Sequence, residues 1–219
     1  MRQKYLFLVS LVFISISFSN AQDVFTPDLK TILDGKSWKG KFTSFELSKK
    51  DNSDAVMITK TEADQFVWLN DFNFTNGIIE FDAKGKSAPP QSSFVGIAFR
   101  VIDEKTYDAV YFRPFNFRAG NSLSKSHAVQ YISNPEWTWK RLRDERTGEY
   151  EKGIEPAPDG DEWFHAKIEI QKPKIKVYVN GAETPSLVVN ELSDRKGGSV
   201  GIWCNGFGIV ANLKITSQK

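Results

Sequence analysis

Short strand-like segments, evenly spaced along the chain, are the feature that most limits its fold. Each is an alternating or apolar run bounded by Gly, Asn, Pro or Lys, and helical periodicity is almost absent. This spacing is typical of an all-β sandwich or barrel. Lys172-Pro173 lies between two runs that we expect to form a hairpin, and Asn180-Gly181 marks a tight turn. The predicted strands are 55–60, 65–69, 77–85, 93–101, the first half of 107–117, 127–133, 163–171, 174–181, 186–189, 198–206 and 207–215.

The first 21 residues predict a secretory signal peptide. A positive start, an apolar run over residues 5–18 and the small residues Ser19 and Ala21 fit a cut before Gln22. The alternative is a membrane anchor, but the run is shorter than the roughly 20 apolar residues that a span needs. We therefore expect residues 22–219 to form one secreted or periplasmic domain without a membrane span.

The charge balance and the single cysteine argue against several classes of protein. The formal charge of +2 comes from Arg2 and Lys4, so the predicted mature chain is neutral. Because nucleic-acid-binding domains usually present a basic face, we expect no nucleic-acid partner. Cys204 cannot form an internal disulfide and lies in the apolar run VGIWC, which predicts a small buried residue. Two histidines and one cysteine exclude the usual structural zinc sites, and we expect no cofactor.

The acidic turn DGDE near residue 160 is the one place where the sequence suggests calcium. Asp159, Asp161 and Glu162 supply the oxygen ligands that calcium prefers. The turn lacks a full ligand set, however, so a plain turn is the alternative and we predict no metal site.

The segment YDAVYFRPFNF combines aromatic rings with an arginine and then meets a proline. Aromatic residues favour strands, and Pro114 lacks the N–H that a strand interior needs. Alternation places Tyr111 and Arg113 on one face and Val110 and Phe112 on the other. We expect the second pair to build the core and the first pair to contact a ligand.

Several segments follow one another in an order that is shared with a known family. They are LDGKSWKGKF (33–42), GIIEFDAKG (77–85), GIAFRV (96–101), DEWFHAKIEI (161–170), VYVNG (177–181) and GSVGIWCNGFGIVANLKI (198–215). Their order resembles the concanavalin A-like lectin/glucanase jelly-roll superfamily, and more narrowly the 3-keto-disaccharide hydrolase-like domain of secreted bacterial proteins. The resemblance implies a two-sheet antiparallel β-sandwich that binds glycans on its concave face or at its rim.

The residues with the chemistry for a sugar lie on the predicted strand face opposite the core. Small residues beside Arg100 leave room for a ligand, and Tyr111 and Arg113 supply a flat ring and a planar fork of donors. A sugar needs aromatic faces for its C–H patches and fixed polar groups for its hydroxyls. For both arginines the alternative is a structural ion pair with a carboxylate such as Glu80 or Asp82.

Glu80, Asp82 and His127 are candidates for catalysis. Glu80 and Asp82 share a strand face and could act as general acid and as nucleophile or base; the alternative is a solvated face paired to arginine. His127 could be an acid or base because histidine titrates near neutrality, or it could be an ordinary strand-end residue. Gln130 is expected on the opposite face, so at most one of His127 and Gln130 would face a shared cleft.

Residues 134–162 form a long polar connection of the kind that is usually functional or mobile. The stretch KRLRDER within it is expected to form a helical turn on a solvated surface. Trp137 and Trp139 would be either exposed platforms for a glycan or buried residues that hold the connection on the sandwich. Trp203 and Asn205 share a face of a late strand and could line the same cleft, with core packing as the alternative for Trp203.

Three functions remain open on these grounds. A carbohydrate-binding domain comes first, because the sequence shows no complete catalytic set. A glycoside hydrolase that acts on a disaccharide, with or without a 3-keto group, or on another modified glycan is the alternative that the resemblance implies. A protein-interaction module of the cell envelope is the third, since one fold serves many functions.

Overall fold

The computed structural model describes residues 22–40, 45–59, 64–88 and 93–218. Two antiparallel sheets form the protein, which confirms the predicted β-sandwich over the barrel. The predicted signal peptide, residues 1–21, lies outside the described residues. Within the described ranges, no helix is long and apolar enough to cross a membrane.

The described part of the chain is mainly strands, joined by turns and a few short helices. The strands are β1 (Gln22–Phe25), β2 (Trp38–Gly40), β3 (Phe45–Lys50), β4 (Ser53–Ile58), β5 (Gln65–Leu69), β6 (Asn76–Lys84), β7 (Ser93–Val101), β8 (Tyr107–Phe112), β9 (Val129–Asn134), β10 (Glu151–Lys152), β11 (Phe164–Gln171), β12 (Lys174–Val179), β13 (Leu187–Asn190), β14 (Ser199–Gly206) and β15 (Gly208–Gln218). The helices are α1 (Pro114–Phe117), α2 (Ser122–Lys125), α3 (Trp139–Glu145) and a 3-10 helix (Leu29–Asp34).

The two sheets are formed by different strands. The eight-stranded sheet has the order β13-β12-β11-β6-β15-β4-β3, with β1 paired to β15, and the seven-stranded sheet has the order β10-β9-β8-β7-β14-β5-β2. The predicted hairpin is confirmed, because Gln171 pairs with Lys174 across the β11–β12 turn. The predicted turn is confirmed as well, since Asn180 and Gly181 both have positive φ angles, 51° and 70°.

The core lies between the sheets, where the inward faces of both meet. The Phe112 ring of the seven-stranded sheet lies 6.2 Å from Phe81 and 5.0 Å from Phe164 of the opposite sheet. Val110 and Phe112 are fully buried, as the alternation predicted. Cys204 is buried too, and its burial raises the pKa of the thiol, so it behaves as the small apolar residue that the sequence predicted.

Two connections are more regular than the sequence indicated, and both adjoin the outer face of the seven-stranded sheet. The residues after β8 form helix α1 with Pro114 at its first turn, where a missing N–H costs nothing. The connection 134–162 contains α3, capped by Thr138, which confirms the predicted helical turn, and the short strand β10, which the sequence pattern did not reveal. β10 pairs with β9 and so fixes this connection to the sheet.

Candidate functional site

A cleft of about 520 Å³ lies on the outer face of the seven-stranded sheet. Its volume falls within the range of small-molecule sites. Four strands form its base, and α1, α3 and the segment before β9 form its walls. From the strands come Phe94, Tyr107, Tyr111, Ile132, Asn134, Trp203 and Asn205, and from the connections come Asp64, Arg113, Phe115, Asn116, His127, Thr138, Trp139 and Arg143.

Aromatic rings make up much of the cleft lining. The Tyr111 ring lies 4.8 Å from Trp203, and Phe94 contacts Tyr111 and Phe115 edge-on at 6.0 and 5.3 Å. Gly96 on β7 leaves the space for this cluster, because a Cβ there would lie 2.6 Å from that of Tyr111. Trp139, the first residue of α3, remains 48% exposed. The cleft therefore offers flat rings both at its base and at its edge.

Arg113 organises the polar side of the cleft although it is only 5% exposed. One guanidinium nitrogen donates to the Tyr111 hydroxyl at 2.8 Å and to Gln130 Oε1, and the other donates to the His127 carbonyl at 2.8 Å. The Tyr111 hydroxyl donates in turn to Gln130 Oε1 at 2.8 Å. Burial raises the pKa of Tyr111 to about 12, so this phenol is neutral at physiological pH.

Glu151 is a buried carboxylate that connects three cationic or basic side chains behind the cleft lining. Its side chain is 3% exposed and accepts two bonds from Arg143, at 2.7 and 3.0 Å. Arg113 Nη1 lies 3.5 Å from one oxygen and His127 Nε2 lies 3.3 Å from the other. Buried charges need such partners, and here they hold Arg113, Arg143 and His127 in fixed positions.

His127 has a pKa below its ordinary value. Burial is the largest cause, Glu151 opposes it, and Arg143 and Arg113 add to the lowering. Because a free histidine already titrates near pH 6.5, the His127 ring is mainly neutral at pH 7. A neutral imidazole that turns its N–H toward Glu151 keeps a lone pair on its other nitrogen and can accept a proton.

Two polar atoms beneath the cleft lining lack a hydrogen bond of good geometry. Among the described residues, neither Asn134 Oδ1 nor Trp203 Nε1 has a hydrogen-bond partner. At the edge, Asn205 Nδ2 donates to Asp64 Oδ1 at 2.8 Å. Asn134 Oδ1 and Trp203 Nε1 are buried below the cleft surface, and both side chains interact with the Tyr107 hydroxyl.

Six of the eleven residues that the sequence singled out line this cleft. They are Tyr111, Arg113, His127, Trp139, Trp203 and Asn205. Gln130 lies just behind them and orients Tyr111 and Arg113. Of His127 and Gln130, only His127 lines the cleft, as expected, but strand alternation is not the reason, because β9 begins only at Val129 and Gln130 lies behind Tyr111 and Arg113.

Arg100 does not reach the cleft. It is 1% exposed, donates to the Thr75 carbonyl at 3.1 and 3.0 Å, and forms an ion pair with Glu191. Its φ angle is +50°, opposite an irregularity in the β7–β14 register between Ser199 and Val200. Such a bulge breaks the alternation of side chains, so Arg100 takes the structural role that the sequence left open, with Glu191 as its carboxylate partner.

Glu80 and Asp82 lie on the outer face of the eight-stranded sheet, away from the cleft. Asp82 accepts from Asn212 at 2.6 Å and Lys50 at 3.0 Å, and lies 2.9 Å from His165 Nδ1. Burial raises the pKa of Asp82, but these hydrogen bonds outweigh it and keep the pKa below its usual value. Neither carboxylate can act in the cleft, because the whole sandwich separates the two faces.

Two further expectations concern loops. Trp137 packs half-buried against the core with the Arg141 guanidinium 4.1 Å from its ring, so it holds the connection 134–162 on the sandwich. In the acidic turn, Asp159 pairs with Arg118 at 2.9 Å, and Asp161 accepts from the Ser87 N–H at 3.1 Å. The part of the chain that the structure describes holds no cluster of three or more potential metal ligands.

The residues that sequence reasoning missed divide into two kinds. Tyr107 and Phe94 share faces with Tyr111 and Gly96 by simple alternation, so the period-two pattern could have found them. Arg143 and Glu151 belong to the polar connection, where no pattern pointed to the cleft. Only the pairing of β10 with β9 brings Glu151 beside Arg113.

A family model described as the 3-keto-alpha-glucoside-1,2-lyase-like domain matches residues 28–212. The chain belongs to this family. Family membership relates the chain to carbohydrate chemistry and confirms the resemblance seen in the sequence. No curated protein sequence shows significant similarity to the chain.

Solved structures confirm the concanavalin A-like jelly-roll fold. The carbohydrate-binding module CBM66 from Bacillus subtilis has a TM-score of 0.56 at 13% identity, with 82% of this chain and 95% of that chain covered. The κ-carrageenase from Pseudoalteromonas carrageenovora, in complex with an oligotetrasaccharide of κ-carrageenan, has a TM-score of 0.56 at 11% identity, with 92% and 96% covered. The β-glucanase from Bacillus licheniformis has a TM-score of 0.53 at 12% identity, with 83% and 92% covered.

Proposed function

We propose that the cleft on the seven-stranded sheet binds a carbohydrate. The observation that carries this proposal is the placement of Tyr111, Trp203 and Trp139 around one cleft with Arg143, whose side chain is 31% exposed. Aromatic faces receive the C–H patches of a sugar ring, and a guanidinium donates to its hydroxyl oxygens. The family match and the carbohydrate-binding neighbours are consistent with this proposal.

The cleft is built in advance of binding, which favours affinity. Arg113, Tyr111 and Gln130 form a closed set of buried hydrogen bonds, and Glu151 fixes Arg143 and His127. Because little side-chain freedom is lost on binding, more of the contact energy appears as affinity. We also propose export from the cytoplasm, on the strength of the N-terminal segment.

Calorimetric titration with a panel of glucosides and 3-keto-glucosides tests this function. Trp139→Ala removes an exposed ring, so the fold should survive, and affinity should fall on the order of ten-fold, about 1.4 kcal/mol. Trp163→Ala is the matched control, since Trp163 lies beside Lys50 on the side of the eight-stranded sheet. Absence of binding to every panel member, or equal losses in both variants, would contradict the proposal and favour an envelope interaction module.

A second function, cleavage of the bound sugar, is favoured by His127. Among the described residues that line the cleft, Asp64 is the single carboxylate, whereas glycoside hydrolysis normally uses two across the bond. Elimination from a 3-keto-glucoside needs one base instead. The base removes the proton on C2, the electron pair moves into an enolate on the C3 oxygen, and the enolate then expels the oxygen on C1, which takes up a proton.

The chain supplies groups for these steps. The neutral His127 ring is the base, Glu151 orients it, and Arg113 and Arg143 stabilise negative charge on the enolate oxygen. Turnover of 3-keto-glucosides, followed by the ultraviolet absorbance of the unsaturated ketone with and without added divalent cation, tests this activity. We expect His127→Gln to lower kcat by about 10²–10⁴, and the wild-type rate to fall on the acid side with a midpoint below the ordinary histidine pKa.

The matched control for catalysis is Glu80→Gln, on the opposite sheet. It should leave turnover unchanged, because Glu80 contacts Lys214 and His165 and is remote from the cleft. Binding without turnover would leave the carbohydrate-binding function and overturn the catalytic one. Turnover that survives His127→Gln would equally remove His127 from the mechanism.

A further inference from the structure

A second cavity of about 480 Å³ adjoins the main cleft. We call it the side cavity; α1, α2 and the turn at residues 159–160 enclose it. The two cavities share Phe115 and Asn116, which lie on α1 and face both spaces. The two cavities are therefore neighbours on either side of Phe115 and Asn116.

The shared residues are held in place by contacts within the protein. Asn116 is largely buried and its Nδ2 donates to the His127 carbonyl at 3.3 Å. The Phe115 ring packs edge-on against Phe94 at 5.3 Å. The boundary between the cavities thus consists of one ring and one amide in fixed positions, which is a surface that a sugar chain can cross.

The side cavity is polar but carries no net charge. Arg118 pairs with Asp159 at 2.9 Å and also donates to the Ala157 carbonyl at 3.3 Å. Both side chains of the pair are well exposed, so their remaining donors and acceptors can meet a ligand. Ser87, Asn121 and Ser124 add hydroxyl and amide groups to the lining. A neutral ligand with many hydroxyls fits this mixture better than an ion or an apolar molecule.

Glycine residues and backbone atoms form the rest of the side cavity's lining. Gly160 lies against the chain, since a Cβ there would be 2.4 Å from the Pro114 carbonyl oxygen. Gly120 is different, because a Cβ there would meet nothing within 4 Å. Gly120 lines the side cavity, so position 120 can carry a larger side chain at its edge without a clash at Cβ.

We propose that the side cavity is a second sugar-binding subsite, so that the protein takes an uncharged oligosaccharide and not only a mono- or disaccharide. This inference rests on the proposed function of the main cleft. One end of the glycan lies in the main cleft beside Tyr111 and Arg113. The chain crosses Phe115 and Asn116, and its further units contact Arg118 and Asp159.

A chain-length series tests the subsite. The probes are glucose, maltose, maltotriose and maltotetraose, chosen because the family description names an α-glucoside, and calorimetry gives the affinity of each. We expect affinity to rise by about ten-fold between maltose and the longer chains. Gly120→Leu and Arg118→Ala should each remove that rise and leave the affinity for maltose unchanged. Lys140→Ala, an exposed residue of α3 outside both cavities, should change neither.

The outcomes separate the two proposals. If maltose binds and maltotetraose binds no tighter, or if the gain with length survives both variants, the subsite is overturned and the main cleft stands. If no member of the series binds the wild-type protein, the subsite for α-glucans falls together with the α-glucoside specificity of the main cleft. The subsite is supported if affinity rises with chain length in the wild type and in Lys140→Ala but not in Gly120→Leu or Arg118→Ala.

Discussion

The outer faces of the two sheets use their polar residues in opposite ways. On the eight-stranded sheet the charges lie in register on neighbouring strands. Glu80 pairs with Lys214 across β6 and β15, and Asp82 meets His165 across β6 and β11. On the seven-stranded sheet, Tyr111 and Arg113 line a cleft whose walls include α1 and α3. The charges of the eight-stranded sheet pair with one another within the sheet, whereas the seven-stranded sheet presents aromatic rings and hydrogen-bond donors around a cavity.

The connections cause this difference. Tight turns join β3 to β4 and β11 to β12 within the eight-stranded sheet, so these connections do not fold over its outer face. The segments 113–128 and 135–163, by contrast, follow β8 and β9 and fold back over the seven-stranded sheet. A covered polar face must find hydrogen-bond partners inside the protein or in a ligand. The candidate cleft lies on the covered face, and each prediction below tests the difference between the two faces.

The largest expected loss of stability comes from replacing Arg100, for which the sequence left open the same two roles as for Arg113. Arg100→Met leaves Glu191 buried with Lys172 as its remaining cation, 2.9 Å away. Loss of one partner of a buried ion pair costs about 3–5 kcal/mol of unfolding free energy. Chemical denaturation should show this loss, while sugar affinity measured on the folded protein should equal that of the wild type. A parallel loss of affinity would show that Arg100 belongs to the site.

A matched pair of tyrosine substitutions measures the two faces directly. Tyr111→Phe removes a buried hydroxyl that bonds Arg113 and Gln130, and should cost about 1–3 kcal/mol. Tyr178→Phe on the other sheet removes a bond to Glu169 at 3.2 Å near solvent, and should stay within about 0.5 kcal/mol. Denaturant midpoints compare them. Equal costs would remove the distinction between a covered and an open face.

The pH dependence of the unfolding free energy tests whether His127 is shielded from solvent. Its pKa in the folded protein lies below the unfolded value near 6.5, so the unfolded chain takes up the proton first as the pH falls. The unfolding free energy should therefore decline below about pH 6.5, and above it His127 should contribute nothing. The decline should be shallower in His127→Gln. Identical slopes between about pH 7 and pH 5 would mean that His127 is as solvated as a surface residue.

The smallest effect belongs to the open face. Glu80→Gln removes the charge that meets Lys214 at 2.6 Å, where both side chains reach solvent. Exposed pairs contribute about 0–1 kcal/mol, and less at high salt. The thermal midpoint should move little, and it should move less still in concentrated salt. A loss comparable to that of Tyr111→Phe would show that the charges on this sheet are not a solvated array.

Strand alternation predicted which side chains share a face where the chain keeps a period of two. It placed Tyr111 and Arg113 opposite Val110 and Phe112, and Trp203 on one face with Asn205. It failed for Arg100, where a bulge and a positive φ angle redirect one side chain. A single extra residue in a strand has no clear signature in a pattern of apolar and polar residues.

The sequence by itself determined the sandwich, its hairpins, its core face and its family, because these follow from local periodicity, turn chemistry and the order of segments along the chain. Tertiary structure alone decided which sheet carries the site. Glu151 lies 38 residues after Arg113 and approaches it only because β10 pairs with β9. Glu80 and Asp82 carry side chains that could serve in catalysis, as the candidates in the cleft do, but they lie on the outer face of the eight-stranded sheet. Contacts between distant segments depend on how the connections fold over the sheets, and no local sequence pattern predicts that arrangement.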